Sequence, residues 1–345
     1  MNVNIVELLK AFSGKTGLPG RESEAAAYGG ELLLAFGPVS NTPSGSVLCR
    51  VRDEGSRIHL LLDAHIDEVG LIVTFIEDSG FLRVERCGGI DIRALPAAPV
   101  VIHAEKGRLF GVVCSTPPHL DKGGEKKLQK AGELYIDTGL TGERARELIS
   151  PGNRITLVCE ARELAGGYLC GKALDDRACC AAIIYALSLL RGEELNCDLT
   201  VSFSAMEEVG GQGAKTAAYS VNPTHAVVLD VSFAHTHDSE RHKCGEAGKG
   251  PMIGVAPILS HEMSGELAKI AKAEGIPHQT EVMGGRTGTN ADQIASSRGG
   301  VKTAMLSIPL KYMHTPVETV LIKDVEDTAR LLAAFIRRLG RETPA

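Results

Sequence analysis

Five short polar clusters hold residue types able to bind metal ions or carry protons. His65-Ile66-Asp67-Glu68 sets an imidazole two residues ahead of a carboxylate at the end of an apolar run. A histidine so placed can ligate a metal while the carboxylate fixes its ring from behind, although an isolated His-x-Asp also suits a surface turn. Asp175-Asp176-Arg177 puts two acids side by side, which repel unless a cation or Arg177 compensates them. They either cap the helix that follows or include a carboxylate that bridges metals. Glu207-Glu208 comes after Leu199-Thr200-Val201-Ser202-Phe203 and before Val209-Gly210-Gly211-Gln212-Gly213. One glutamate can ligate while its neighbour takes the proton of a metal-activated water. The glycine-rich turn lets backbone approach a ligand, which weakens the alternative of two solvated surface acids. Asp230, ending Val227-Val228-Leu229, and His314, within Tyr312-Met313-His314-Thr315-Pro316, complete the set. Each says little alone. Together the clusters offer two histidines and several carboxylates, a mixed nitrogen and oxygen donor set that suits zinc or cobalt in a bridged dinuclear site.

The elements around these clusters repeat one pattern, an apolar run ending in an acidic or histidine-containing turn. Ile58 to Leu62 runs into His65, Leu199 to Phe203 into Glu207, and Ala226 to Leu229 into Asp230. This is the texture of an α/β fold, whose ligands bind beyond the carboxyl ends of the strands. Between about Val69 and Glu163 the texture changes to short β-like runs such as Leu71 to Ile76, Val100 to His103 and Arg154 to Val158. Long helical periodicity is scarce there, so this stretch is expected to be a small β-rich insertion. The predicted division is 1–68 and 164–345 for the α/β domain and 69–163 for the inserted one. Helical signals return at Ala178 to Leu190, Ser264 to Glu274 and Asp327 to Leu339.

Composition narrows the function classes. The 345 residues allow a large core, and 43% hydrophobic with 23% charged residues is ordinary for a globular chain. The absence of Trp argues against stacking on sugars or bases, and a net charge of -6 without a basic run argues against nucleic acid. Met1 to Lys10 reads as an amphipathic helix and not a signal peptide, and Ala178 to Leu190 is too short to span a membrane. Nine cysteines, an odd number, suggest free thiols in a reducing, cytoplasmic setting, with Cys179 and Cys180 as core thiols.

The ordered series HIDEVG at 65–70, KALDDRA at 172–178, SAMEEVGGQGA at 204–214, VVLDVS at 227–232 and PLKYMHTPVE at 309–318 resembles that of the M42 metallo-aminopeptidases. Members of that family include proteins named glutamyl aminopeptidases and, misleadingly, endoglucanases. The resemblance implies an α/β/α metallopeptidase domain with a mixed sheet and an inserted, barrel-like dimerisation domain. It implies that Asp175 bridges two divalent metal ions, zinc or cobalt, with His65 and Asp230 completing one and Glu208 and His314 the other. Glu207 matches the general base and Asp67 the carboxylate that orients His65. The Asp175-Asp176 bond matches a position where the family often has a cis peptide. Partners implied are peptides with a free N-terminus and further copies of the chain, as dimers assembling to a dodecamer. Gln212, Cys179, Lys311 and Asn290 depart from the residues common in the family and are expected to bear on substrate preference. A deacylase or carboxypeptidase on a related two-metal scaffold is the nearest rival. A glycosidase would need separated carboxylates and no histidine ligands.

Overall fold

The computed structural model describes residues 4–115, His119 and residues 130–340. Helix α1 (Ile5–Ser13) buries Ile5, Leu8, Leu9 and Phe12, spaced to share one face. Asn4 accepts from the N–H groups of Val6 and Glu7, so this cap starts the helix later than the sequence suggests. Helix α2 (Ser23–Leu33) leads to β1 (Val39–Asn41), β2 (Val47–Arg52) and β3 (His59–His65). Six strands follow: β4 (Gly70–Ile76), β5 (Leu82–Cys87), β6 (Pro99–Ala104), β7 (Gly107–Val113), β8 (Tyr135–Asp137) and, after α3 (Gly142–Leu148), β9 (Arg154–Leu157). They close into a barrel in the order β4-β5-β8-β7-β6-β9, around Leu71, Val84, Val100, Ile102, Ile136 and Ile155.

The chain then returns through β10 (Arg162–Leu164), β11 (Tyr168–Gly171) and α4 (Leu174–Leu189). Next come β12 (Asp198–Ser204), α5 (Gln212–Val221), β13 (His225–Phe233), β14 (Met252–Val255), α6 (His261–Ala273), β15 (Gln279–Val282), α7 (Ala291–Ala295), β16 (Lys302–Lys311), β17 (Glu318–Leu321) and α8 (Ile322–Arg338). Eleven strands form one mixed sheet, β1-β2-β12-β3-β13-β16-β17-β11-β10, with β14 and β15 attached beside β16.

The four central strands, β12, β3, β13 and β16, are parallel and covered on both faces. Leu60, Leu62, Val227, Leu229, Ala304 and Leu306 pack towards α1, α4 and α8, while Leu61, Ala226, Val228 and Met305 pack towards α5 and α7. Alternation between two apolar layers is why these strands read as unbroken apolar runs. The architecture is thus α/β/α with a mixed sheet and an inserted closed barrel, as predicted. Register places the polar clusters together: Ser204 at the end of β12 pairs with His65 at the end of β3, and Asp230 lies two residues beyond the β13 residue that pairs with Asp63. No helix among the described residues is long and apolar enough to cross a membrane.

Candidate metal centre and cleft

The five predicted ligands converge. His65, Asp175 and Asp230 offer donor atoms within 4.8 Å of one another, and so do Asp175, Glu208 and His314, so Asp175 is common to both groups. His65 Nε2 lies 3.1 Å from Asp175 Oδ1, and His314 Nε2 lies 3.3 Å from Asp175 Oδ2 and 3.4 Å from Glu208 Oε1. Both rings are oriented from behind. His65 Nδ1 donates to the Asp67 carbonyl at 3.1 Å and His314 Nδ1 to the Gly89 carbonyl at 2.9 Å. A carbonyl only accepts, so each Nδ1 carries a proton and each Nε2 is the ring atom that faces the carboxylates and would face a cation held among them.

Gly89 comes from the loop after β5 in the barrel. A Cβ there would stand 2.8 Å from His314 Nδ1 and Cε1, so only glycine lets the barrel loop come this close. Asp67 behaves differently from the expectation of a simple ring-orienting carboxylate. Its Oδ1 is 3.5 Å from His65 Nδ1, but it accepts the N–H of Glu207 at 3.0 Å and its Oδ2 that of Glu208 at 3.1 Å. Fully buried, it fastens the turn carrying both glutamates to the strand end carrying His65.

Glu318, within the last motif but given no role by the sequence reading, does the same on the other side. Its Oε1 accepts the N–H of His314 at 2.9 Å and its Oε2 that of Asp175 at 3.0 Å. The Asp175-Asp176 peptide is cis, and Asp176 Oδ2 accepts the N–H of His65 at 3.1 Å. These two acids lie at the start of α4, where Ala173 occupies the cap position without a side-chain bond. Ala173, Met206, Tyr312 and His314 all have positive φ, four of the seven such non-glycine residues among the described residues. Strained backbone of this kind persists where the surroundings over-determine it, as at ligand sites.

Beneath the site, Glu68 is buried between Lys172 Nζ at 2.6 Å and Arg177 Nη2 at 3.2 Å. Arg177 also donates to the carbonyls of Ile66 and Phe12, tying α1 to the loop that holds His65. Asp63 receives Asn290 Nδ2 at 2.9 Å and Ser204 Oγ at 2.9 Å, and burial pushes its carboxyl up to about 6.

The charges at the centre are out of balance without cations. Burial drives Asp230 well above the ordinary carboxyl range, with Asp176 adding to it, and drives Glu207 up to about 7 against the opposing pull of His65. Burial lowers His314, yet its bonds to Asp175 and Glu208 raise it to about 11. Asp175 goes the other way: burial is overcome by His314 and His65, which hold its carboxyl below the usual range. Buried acids that can be neutral or ion-paired only with two imidazoles are a donor set short of positive charge, and divalent cations fit it.

The centre floors a cleft of about 660 Å³ whose walls include Glu207, Ser232, Phe233, Glu281, Arg286, Met305 and Met313. None of the four departures from the family pattern is on that wall. Cys179 is in the core, as is Cys180, while Asn290 bonds Asp63, Gln212 bonds the Val209 carbonyl at 3.1 Å, and Lys311 sits over the Tyr168 ring. Of the wall residues given no role by the sequence reading, Ser232 and Met313 lie within motifs, whereas Glu281, Arg286 and Met305 fall in segments that carry none.

A profile of the M42 glutamyl aminopeptidase family matches residues 45–331. The lysyl aminopeptidase of Pyrococcus furiosus is 33% identical over 305 residues, covering 86% of this chain and 85% of its own. Among solved structures, an aminopeptidase of Desulfurococcus kamchatkensis superposes with a TM-score of 0.90 at 32% identity, covering 96% of this chain and 94% of that one. The TET1 peptidase of Pyrococcus horikoshii, which can assemble into a tetrahedron or a large octahedral shell, gives 0.85 at 33% identity over 97% of this chain and 100% of that one.

Proposed function

The chain belongs to the M42 peptidase family and is a peptide-bond hydrolase, and from that premise we propose that it removes N-terminal residues from peptides using two divalent metal ions, zinc or cobalt. The observation that carries this reading is the pair of three-residue donor groups sharing Asp175, with Glu207 beside them and outside both. In it Asp175 would be shared by the two ions, with His65 and Asp230 holding one and Glu208 and His314 the other. When bound, such cations would acidify a water and polarise the scissile carbonyl. Glu207 takes the proton of the nucleophile and returns it to the leaving amine. Asp67 holds the Glu207-Glu208 turn in register with His65 throughout, and Glu318 does so for Asp175 and His314.

The test is a panel of aminoacyl reporters assayed after stripping the protein of metal and reloading it with zinc, cobalt or manganese. Activity is expected to vanish and return, and an N-acetylated peptide is expected to resist cleavage. Full activity in a verified metal-free preparation would sink the metal reading, and cleavage of the acetylated peptide would favour a deacylase.

We further propose that residues 69–163 form a unit of their own between 1–68 and 164–345, with β10 straddling the second junction. Phe75 and Phe110 of the barrel strands are more than half exposed, at 56% and 63%, which supports a role for this unit in subunit contact. By analogy with the TET1 dodecamer, the chain is proposed to form dimers that assemble to a dodecamer, and its nine free cysteines support a place in the reducing cytoplasm. A strictly monomeric protein at micromolar concentration by light scattering would remove the assembly and leave the metal site untouched.

A further inference from the structure

We infer that Glu281 anchors a positively charged side chain on the first residue of the substrate, making this site selective for N-terminal lysine or arginine; the inference rests on the aminopeptidase reading above. Glu281 lies on the cleft wall, on β15 at the edge of the sheet. Its side chain reaches across β14 to the central strands. Oε2 accepts Ser307 Oγ of β16 at 2.6 Å, and Oε1 accepts Ser232 Oγ of β13. Gly254 is its register partner on β14 and contributes no side chain in the way; a Cβ there would stand 3.1 Å from Met305 Cβ.

Both serines tie Glu281 to the strands beside the candidate metal centre. Ser307 is the register partner of Asp230, and Ser232 follows Asp230 by two residues on the same strand face. The Glu281 carboxylate is therefore held by hydroxyls on the strand that carries Asp230 and on the strand beside it, on the sheet face that Asp230 shares with both serines. Glu281 lines the same cleft as the candidate ligands, so a first residue whose carbonyl met the centre would have this wall within reach of its side chain.

The charges lining the cleft single Glu281 out. Asp175, Glu207, Glu208 and Asp230 line the cleft with four carboxyl groups, whose charge two divalent cations would offset. Arg286 has its Nε 3.2 Å from Asp292 Oδ2, so the arginine on the wall is already matched. Glu281 is left over: its bonds are to two neutral hydroxyls, and no lysine or arginine among the described residues pairs with it. A carboxylate has about four acceptor positions, so the serines orient this one without saturating it. Met305, Met313 and the half-exposed Phe233 supply apolar wall for the aliphatic stem of a lysine or arginine.

The test uses the full-length, metal-loaded protein with lysyl, arginyl, leucyl and glutamyl reporters. The wild type is expected to favour lysyl and arginyl over leucyl substrates in kcat/KM. Glu281→Gln, which keeps the side-chain shape, is expected to lower the lysyl-to-leucyl ratio about 10- to 100-fold, mainly through KM, the range of one charge-assisted hydrogen bond. Glu281→Lys is expected to shift preference towards the glutamyl reporter. The wild type supplies a readout that needs no variant: added salt raises KM for the lysyl reporter more than for the leucyl one. An unchanged ratio in a folded Glu281→Gln, or salt affecting both reporters alike, overturns the inference. A uniform rise in KM for every substrate also overturns it, assigning Glu281 to the α-amine instead. Cleavage of the leucyl reporter with no basic preference leaves the aminopeptidase reading standing and removes only this inference, whereas a reloaded wild type that cleaves none of the four removes both.

Discussion

Replacing Asp67 with asparagine tests whether one buried carboxylate holds the base and a ligand in place together. Asp67 is fully buried, with Oδ1 accepting the Glu207 N–H at 3.0 Å and Oδ2 the Glu208 N–H at 3.1 Å. Asparagine has the same shape but a single acceptor oxygen, so one of the two N–H groups must face an amide donor. The loss comprises a charge-assisted hydrogen bond, about 1.5–3 kcal/mol, and a backbone donor left unsatisfied, about 1–3 kcal/mol. Partial relaxation of the turn recovers some of this, so a fall of about 2–4 kcal/mol in unfolding free energy is expected, read by urea denaturation. The relaxation itself moves Glu208 and Glu207. Metal affinity is therefore expected to drop about 10- to 100-fold, the range for residues that orient ligands, measured by competition with a chromophoric chelator. The rate at saturating metal should stay depressed, because Glu207 is displaced as well. A variant that binds two ions with wild-type affinity and turns over at the wild-type rate would refute the claim that Asp67 positions the glutamates.

Three further perturbations address separate parts of the site. Glu207→Gln is expected to keep its metal and lose about 10²- to 10⁴-fold in kcat, while Glu208→Gln loses occupancy at one position and recovers in part at high metal; the reverse pattern in metal analysis would exchange the two roles. Gly89→Ala brings a Cβ to 2.8 Å from the His314 ring, so about 1–3 kcal/mol of overpacking should fall on that histidine, lowering metal content while the His65 side retains its ion; two full equivalents of metal per subunit would contradict this. Asn290→Asp sets a second carboxylate against Asp63, whose buried carboxyl is already raised to about 6. A carboxyl raised on folding stabilises fully below its unfolded value and loses that contribution as pH climbs through the folded one, so the melting temperature deficit of the variant should be larger at pH 8 than at pH 5. Equal deficits at both pH values would show that the pair does not share a proton.

Part of this molecule is written in residue types and their order. The central strands β3, β12, β13 and β16 are covered by helices on both faces, so they must be apolar on both faces and announce themselves as runs. The candidate metal ligands are likewise legible as residue types, because only a few side chains can do that work, and His65, Glu208 and Asp230 follow such runs. The insertion of the barrel was readable from its short, turn-broken strands, although the return strand β10 joins the large sheet by pairing with β11, which no local pattern signals. Tertiary structure alone decided how the ligands are held. Asp67 and Glu318 act by accepting backbone N–H groups, which every residue but proline possesses, so their partners leave no mark in the sequence. Gly89 braces His314 from 225 positions away, and that contact exists only because the barrel folds its loop back over the sheet. Glu281 shares neither motif nor sequence neighbourhood with the candidate ligands; it comes to the wall of their cleft through two strand pairings, β15 on β14 and β14 on β16, and register of that kind is a property of the assembled sheet.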